Sequence, residues 1–323
     1  MSAGVLIVTG QTASGKSALA LKLAERFGAE IIGADSRQIY RGMPVGTAAP
    51  SDADRARVPH HVVGLLDPRE RYSAARFVAD ALAAVDAIHA RGRRAIVAGG
   101  TGFYVRALTG DVALSAAYDA SLRERLAREA RIHPPEVLAE WLRALSPQRG
   151  AAIAPNDPYR VTRALEIALA ERTASQLTGE GSSAPDGAPA AADGIAAVSD
   201  PGANLRTRGI PYAKLYIEIA ADELQRRIEA RVDAMLANGL LEEAERVGGV
   251  AVAADAVGYR EALAYLGGWS TRNELRAQLV RNTRRYAKRQ ATWFRTEPGL
   301  VRVPAQDAFA RAVELAGGLP GWA

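Results

Sequence analysis

VLIVTGQTASGKS, residues 5–17, decides the fold. An unbroken apolar run of mostly β-branched residues reads as a strand buried on both faces. The spacing Gly-x-x-x-x-Gly-Lys-Ser follows from Gly10 to Ser17, and the helical ALALKLAERF comes next. Strand, glycine loop and helix in that order make a phosphate-binding loop. Gly10, Gln11, Thr12, Ala13, Ser14 and Gly15 supply the backbone of an anion nest at a helix N-terminus. Lys16 adds a point charge, and Ser17 offers a hydroxyl to a magnesium ion. The loop specifies a phosphate but no nucleotide. Kinases, NTPases and diphosphate-dependent transferases all remain open.

Working outward, EIIGAD (30–35) is a second buried strand that ends on a carboxylate, and AIVAGGTG (95–102) is a third that runs into a glycine turn. Between them, residues 73–93 carry Phe77, Ala81, Val85 and Ile88 near helical spacing. Strands alternating with helices predict an α/β fold, a P-loop NTPase-like parallel sheet covered by helices. Ligands of such sheets sit beyond the carboxyl ends of the strands. Gly10–Ser17, Asp35 and the 99–102 turn should therefore meet in one crevice, with Thr101 near the phosphates if its strand neighbours the first. Residues 112–177 turn helical and rich in Ala, Arg and Glu, which predicts an inserted helical domain. Residues 178–206, full of Gly, Ala, Ser and Pro, predict a flexible loop. The core is expected to comprise 1–111 and 207–323. AKLYIEI (213–219) reads as a strand, a long helical stretch follows to about 297, and VRV (301–303) reads as a last short strand.

The 323 residues suffice for a substantial core and about two domains. A hydrophobic content of 48% and a charged content of 24% are those of an ordinary globular chain. No apolar run approaches a membrane span and no basic-then-apolar leader opens the sequence, so a cytoplasmic protein is expected. The absence of cysteine excludes disulfides and thiolate metal sites, and four histidines leave little for a zinc cluster. A net charge of +5 mildly suggests a polyanionic partner. A monomer is expected.

Two further stretches carry chemistry. DSRQ (35–38) places Asp35, Ser36, Arg37 and Gln38 as a dense polar group at the expected crevice. RNTRRYAKRQATWFR (281–295) puts Arg281, Arg284, Arg285, Lys288, Arg289 and Arg295 in one helical arc, with Tyr286 and Trp293 beside it. A basic stripe flanked by aromatics predicts a nucleic-acid surface. The competing reading is a solvated charged face whose aromatics are core. PHH (59–61) reads as hydrogen-bonding or structural, because adjacent side chains on an extended segment diverge and no further ligands lie nearby.

GQTASGKS, ADSRQIYRGMPVGTA, PHH with LDP, YSAARF, GGTGFY, NDPYRVTRALE, RIEARVDAM with GL, AVGYRE and RYAKRQATWFR occur in this order. Together they resemble the tRNA dimethylallyltransferases, also called tRNA isopentenyltransferases, over nearly the whole chain outside 178–206. The family usually has Pro where Gln11 stands; that position is expected to contribute backbone only. Without cysteine, the zinc finger of eukaryotic members is absent, as in bacterial ones.

The resemblance implies transfer of a dimethylallyl group from dimethylallyl diphosphate to N6 of the adenosine 3′ of the tRNA anticodon. The loop would hold the diphosphate leaving group, with Mg2+ at Ser17. Asp35 would be the general base, and Thr101 would contact the reacting groups. Asp35–Gln38, Thr101, Arg123 and the segment Tyr159, Arg160, Val161, Thr162 and Arg163 match tRNA-contacting blocks. Arg284 and Lys288 of the basic stripe are assigned to the anticodon stem-loop as well. Three rivals stay open: a transferase that prenylates free adenine nucleotides, a P-loop small-molecule kinase, and a non-catalytic RNA-binding protein.

Overall fold

The computed structural model describes residues 3–112, 114, 120–179 and 202–322. The chain divides into two compact units, Met1–Leu114 with Val198–Ala323, and Ser115–Ala197. The first unit opens with β1 (Val5–Gly10), α1 (Lys16–Phe27), β2 (Ala29–Gly33), α2 (Pro44–Thr47) and α3 (Asp52–Arg57). It continues through β3 (His60–His61), α4 (Ala74–Ala90), β4 (Arg94–Gly99) and α5 (Gly102–Thr109). The second unit holds α6 (Ala120–Ile132), α7 (Pro135–Leu145), α8 (Pro147–Ala152) and α9 (Pro158–Gly179). The first then resumes with β5 (Tyr212–Glu218), α10 (Ala221–Ala237), α11 (Leu240–Val247) and α12 (Tyr259–Leu266). It ends with α13 (Arg272–Phe294), β6 (Leu300–Pro304) and α14 (Ala308–Gly317).

Among the described residues six strands form one parallel sheet in the order β3-β2-β4-β1-β5-β6. β1 is central, with Val5 opposite Ala95 of β4 and Tyr212 of β5. Its alternation divides the core between two layers. Val5 and Ile7 face Phe77, Val85 and Ile88 of α4, while Leu6 and Val8 face Leu19 and Leu23 of α1 and Ala312 of α14. Both sides are buried, and the strand's one polar side chain, Thr9, donates its hydroxyl to Leu215 O at 2.9 Å. Phe77 stacks on Tyr104 with ring centroids 4.3 Å apart, so Phe77→Ala should cost about 3–5 kcal/mol.

The α/β expectation holds, and three details differ from it. The two-residue β3 was not anticipated: His60 and His61 pair with Ile31 and Ile32 at the sheet edge. Their role is hydrogen bonding, as expected. His61 Nε2 lies 2.6 Å from Glu30 Oε2, and Arg91 Nη2 donates to the same oxygen at 2.6 Å. Burial opposes ionisation of Glu30, but those two partners outweigh it and hold the carboxyl below its usual range. The long helical stretch breaks into α10–α13, and α14 follows the last strand. Of the expected loop 178–206, residues 180–201 lie outside the described residues. Leu205 at its end is buried and donates its N–H to Leu108 O at 2.8 Å, so packed structure begins before residue 207.

The second unit packs Leu126 of α6, Leu138 and Leu142 of α7, and Val161 and Leu165 of α9 into its own small core.

Candidate functional site

The sheet order brings the three expected loops together. β2, β4 and β1 are consecutive neighbours, so the segments leaving their carboxyl ends share one edge of the sheet. At β2 and β4 the approach is very close: a Cβ on Gly99 would collide with the Ala34 carbonyl, which only glycine avoids. Thr101 donates its N–H to Ala34 O at 3.2 Å and accepts the Ser36 N–H on Oγ1 at 3.0 Å. Asp35 Oδ1 accepts the Arg37 N–H at 2.9 Å, an Asx turn that aims the carboxylate from the end of its strand. Asp35, Ser36 and Arg37 are all half-buried.

The loop after β1 is tightly wound. Ala13 holds a left-handed φ of 62°, a conformation that non-glycine residues adopt at some cost. No side chain caps the first turn of α1, so its positive end stays open to an anion. Ser14 Oγ is buried and takes no hydrogen bond from the described residues. An unpaired buried hydroxyl in an anion nest is what a phosphate oxygen would satisfy. Lys16 Nζ folds back onto Gln11 O at 3.3 Å. Burial pushes its ammonium down to about 8, Asp35 pulls it up, and Arg231 adds to the lowering. Ser17 is exposed one residue further along α1.

α10 contributes two arginines that sequence reasoning did not assign. Arg227 Nη1 donates to Ser14 O at 3.4 Å and pairs with Glu223, while Arg231 Nη2 donates to Thr47 O at 3.4 Å. They stand four residues apart on one helical face. Burial lowers the Arg231 pKa, against the attraction of Asp35. The RIEAR spacing was the available signal. Tyr286 of α13 belongs to the same group: burial and then the charge of Asp35 hold its phenol well above its usual range. Tyr286 also keeps its expected place beside the basic stripe, with the Arg289 guanidinium 5.7 Å from its ring centroid. Lys16, Arg231 and Tyr286 all feel the charge of Asp35.

Two glutamines make contacts beyond those expected. Gln38 turns its side-chain amide to Thr47 O and Ala48 O, at 3.1 and 3.0 Å, and so braces the segment around α2. That segment is also held by Glu243 of α11, which accepts the Val45 and Gly46 N–H groups at 2.9 and 2.7 Å. Gln11 contributes more than backbone, since its Nε2 donates to Ala287 O of α13 at 3.1 Å.

α13 separates its two faces cleanly. Arg281, Arg284, Arg285, Lys288 and Arg289 are exposed, whereas Leu279, Ala287, Gln290 and Phe294 are buried. Trp293 is half-buried, edge-on to Phe103 at 6.1 Å and beneath the Arg106 guanidinium at 4.7 Å.

In the second unit the block 159–163 splits by helical phase. Val161 is fully buried in the core with Ala164 and Leu165, so its side chain is no RNA contact. Thr162 Oγ1 donates back to Pro158 O at 2.5 Å. Arg123 and Arg163 both pair with buried Glu166, at 3.0 and 2.5 Å. Tyr159 and Arg160 are exposed; with Arg149, Ile153 and Arg163 they line a cavity of about 300 Å³.

With this geometry in place, residues 38–297 match the family profile for IPP transferase and residues 3–59 that for isopentenyl transferase. The tRNA dimethylallyltransferase of Anaeromyxobacter dehalogenans (strain 2CP-C) is 44% identical over 317 residues, 96% of this chain and 99% of that one. Its counterpart from Geobacter sulfurreducens is 39% identical over 310 residues, 93% and 92% of the two chains. Among solved structures, the full-length tRNA isopentenylpyrophosphate transferase of Bacillus halodurans superposes with a TM-score of 0.65 at 32% identity, covering 97% of this chain and 96% of that one. The matched span takes in the anion loop, the Asp35 and Thr101 turns and α13 alike, and the chain belongs to the tRNA dimethylallyltransferase family.

Proposed function

We propose that this protein transfers a dimethylallyl group from dimethylallyl diphosphate to N6 of the adenosine 3′ of the anticodon in tRNA, releasing diphosphate. The observation that carries the reading is geometric: the anion loop leaves β1 and the Asp35 turn leaves β2 on either side of β4, and Thr101 at the end of β4 holds the Asp35 turn through Ser36 N–H and Ala34 O. A cation for the leaving group and a carboxylate for the nucleophile leave the same edge of the sheet, after β1 and β2, with only β4 between those strands. The allylic C–O bond breaks as the C–N bond forms, and negative charge grows on the diphosphate. The loop N–H groups, Lys16 and Arg231 stabilise that charge. The adenine amine is weakly nucleophilic because its lone pair is delocalised into the ring; Asp35 orients it and takes the departing proton.

The donors at the loop suit magnesium. That ion keeps several waters and binds through substrate phosphates plus one or two protein oxygens, and the exposed Ser17 hydroxyl is such an oxygen. When bound, it would neutralise part of the diphosphate charge. Among the described residues no group of three or more His, Asp or Glu side chains forms a protein-only cage.

The relatives' names specify tRNA, and two surfaces of this chain suit it: the exposed cations of α13, and Tyr159 with Arg160 in the second unit. The target base must leave its stack to reach Asp35. No described helix is long and apolar enough to cross a membrane, and we place the reaction in the cytoplasm. Incubating the protein with tRNA, magnesium and dimethylallyl diphosphate, then weighing the tRNA, tests the proposal. A gain of one prenyl group is expected. Phosphate release from ATP without isoprenoid would favour a kinase and overturn it.

A further inference from the structure

α13 reaches the anion loop through two side-chain amides. Gln290, 5% exposed, accepts the Thr12 N–H on Oε1 at 2.7 Å and donates from Nε2 to Gly100 O at 3.0 Å. Its orientation is fixed by chemistry, because a backbone N–H only donates and a carbonyl only accepts. A Cβ on Gly100 would overlap Gln290 Nε2, so the turn before Thr101 is shaped around this amide. Gln11 returns the contact from the loop, donating to Ala287 O one turn earlier on α13. The loop and α13 therefore share a second tie.

We infer that Gln290 is a positioning residue for the diphosphate site, holding the anion loop and the Gly99–Thr101 turn in register with each other, and that Gln11 reinforces it. The inference rests on the proposed diphosphate reading of the loop. Thr12 and Gly100 belong to segments leaving neighbouring strands, and Gln290 bridges both with one group. A glutamate there could still accept from Thr12, but its ionised carboxylate would face the Gly100 carbonyl and sit behind an anion nest. A methionine of similar length would leave both backbone groups unpaired without adding charge.

The test measures binding of magnesium pyrophosphate to the intact protein by calorimetry, with thermal unfolding as a check that each variant is folded. Gln290→Glu should bind about 10- to 100-fold more weakly than wild type at about pH 8, since a small misplacement of a preorganised site costs that much. At about pH 5.5 the ratio to wild type should shrink, as the buried carboxyl takes a proton and regains a donor for Gly100. Gln290→Met should be weakened to the same ratio at both pH values. Affinity for an anticodon stem-loop should stay within about twofold of wild type, because the exposed face of α13 is untouched. Folded variants binding pyrophosphate as wild type does would overturn the inference, as would a Gln290→Glu ratio that does not change with pH. If neither Gln290 variant folds, Gln11→Ala decides: a threefold or greater weakening, on the order of one lost hydrogen bond, supports the inference and no change overturns it. Wild type failing to bind pyrophosphate would remove the diphosphate site itself, and this inference with it.

Discussion

Ser36 gives its backbone N–H to Thr101 Oγ1 at 3.0 Å, and the Thr101 N–H returns to Ala34 O at 3.2 Å. The turn that carries Asp35 is thus stitched to the end of the neighbouring strand through a single threonine. Thr101→Val keeps the shape but leaves the Ser36 N–H without an acceptor. A lost or unsatisfied hydrogen bond of this kind is worth about 1–3 kcal/mol, so turnover should fall roughly 5- to 150-fold. Thr101→Ser should restore most of it. Steady-state prenyl transfer to tRNA measures both, and equal rates for valine and threonine would show that the hydroxyl neither positions Asp35 nor contacts substrate.

Lys16 links function to stability. Its folded pKa of about 8 lies below the ordinary 10.5 because of burial. Between those values the unfolded chain binds more protons than the folded one, so this residue makes stability rise with pH across that window. At neutral pH, confining the charged ammonium costs up to about 3 kcal/mol. Lys16→Met should therefore raise the melting temperature at pH 7 while weakening pyrophosphate binding about 10-fold or more. In wild type, diphosphate affinity should fall as pH rises through about 8, where the free ammonium loses its proton. The methionine variant should lack that loss. A variant that melts lower than wild type at neutral pH contradicts the burial argument.

The site was legible wherever one residue's type and neighbours decide its place. VLIVT followed by GQTASGKS reads as strand and anion loop because buried parallel strands and glycine nests have local signatures. The meeting of Asp35, Thr101 and the loop needed only strands that neighbour one another. What escaped depends on contacts distant in sequence. Gln290 bonds to residues 278 and 190 positions away, and no local pattern marks a buried glutamine as a bridge. β3 is two histidines whose strand character exists only through pairing with Ile31 and Ile32. Resemblance by blocks also fails at single residues: Val161 and Arg160 are adjacent in one matched segment, yet helical phase sends one into the core and the other to solvent.

The exposed cations of α13 make a prediction about salt. Arg276, early on this helix, pairs with Asp233 at 2.6 Å, whereas Arg284 and Lys288 make no salt bridge with the described residues. Cations facing water without a partner are free to replace counterions on a phosphate backbone. Changing both to glutamine should weaken stem-loop binding and reduce the slope of log K against log salt by up to about 1.5. Pyrophosphate binding should be unaffected, since neither side chain is directed at the loop. An unchanged salt slope would mean that this face does not meet RNA.

Asp35 is where leaving group and nucleophile are managed together. Asp35→Asn preserves size, and its Oδ1 can still accept the Arg37 N–H that forms the Asx turn. The carboxamide can still hydrogen-bond an adenine amine, but it has no charge and almost no basicity. Proton removal should suffer while docking survives, so turnover should drop about 10²- to 10⁴-fold with tRNA affinity nearly preserved. The charge cluster adds a second readout. Asp35 raises the Lys16 pKa from across the crevice, so removing its charge should move the Lys16 titration further down. The pH at which pyrophosphate binding begins to weaken should move down with it. That shift is independent of RNA and of chemistry, and it reports whether the two side chains share the crevice in solution. A turnover within a few-fold of wild type would show that Asp35 is not the base. An unmoved pyrophosphate titration would show that its charge does not reach Lys16.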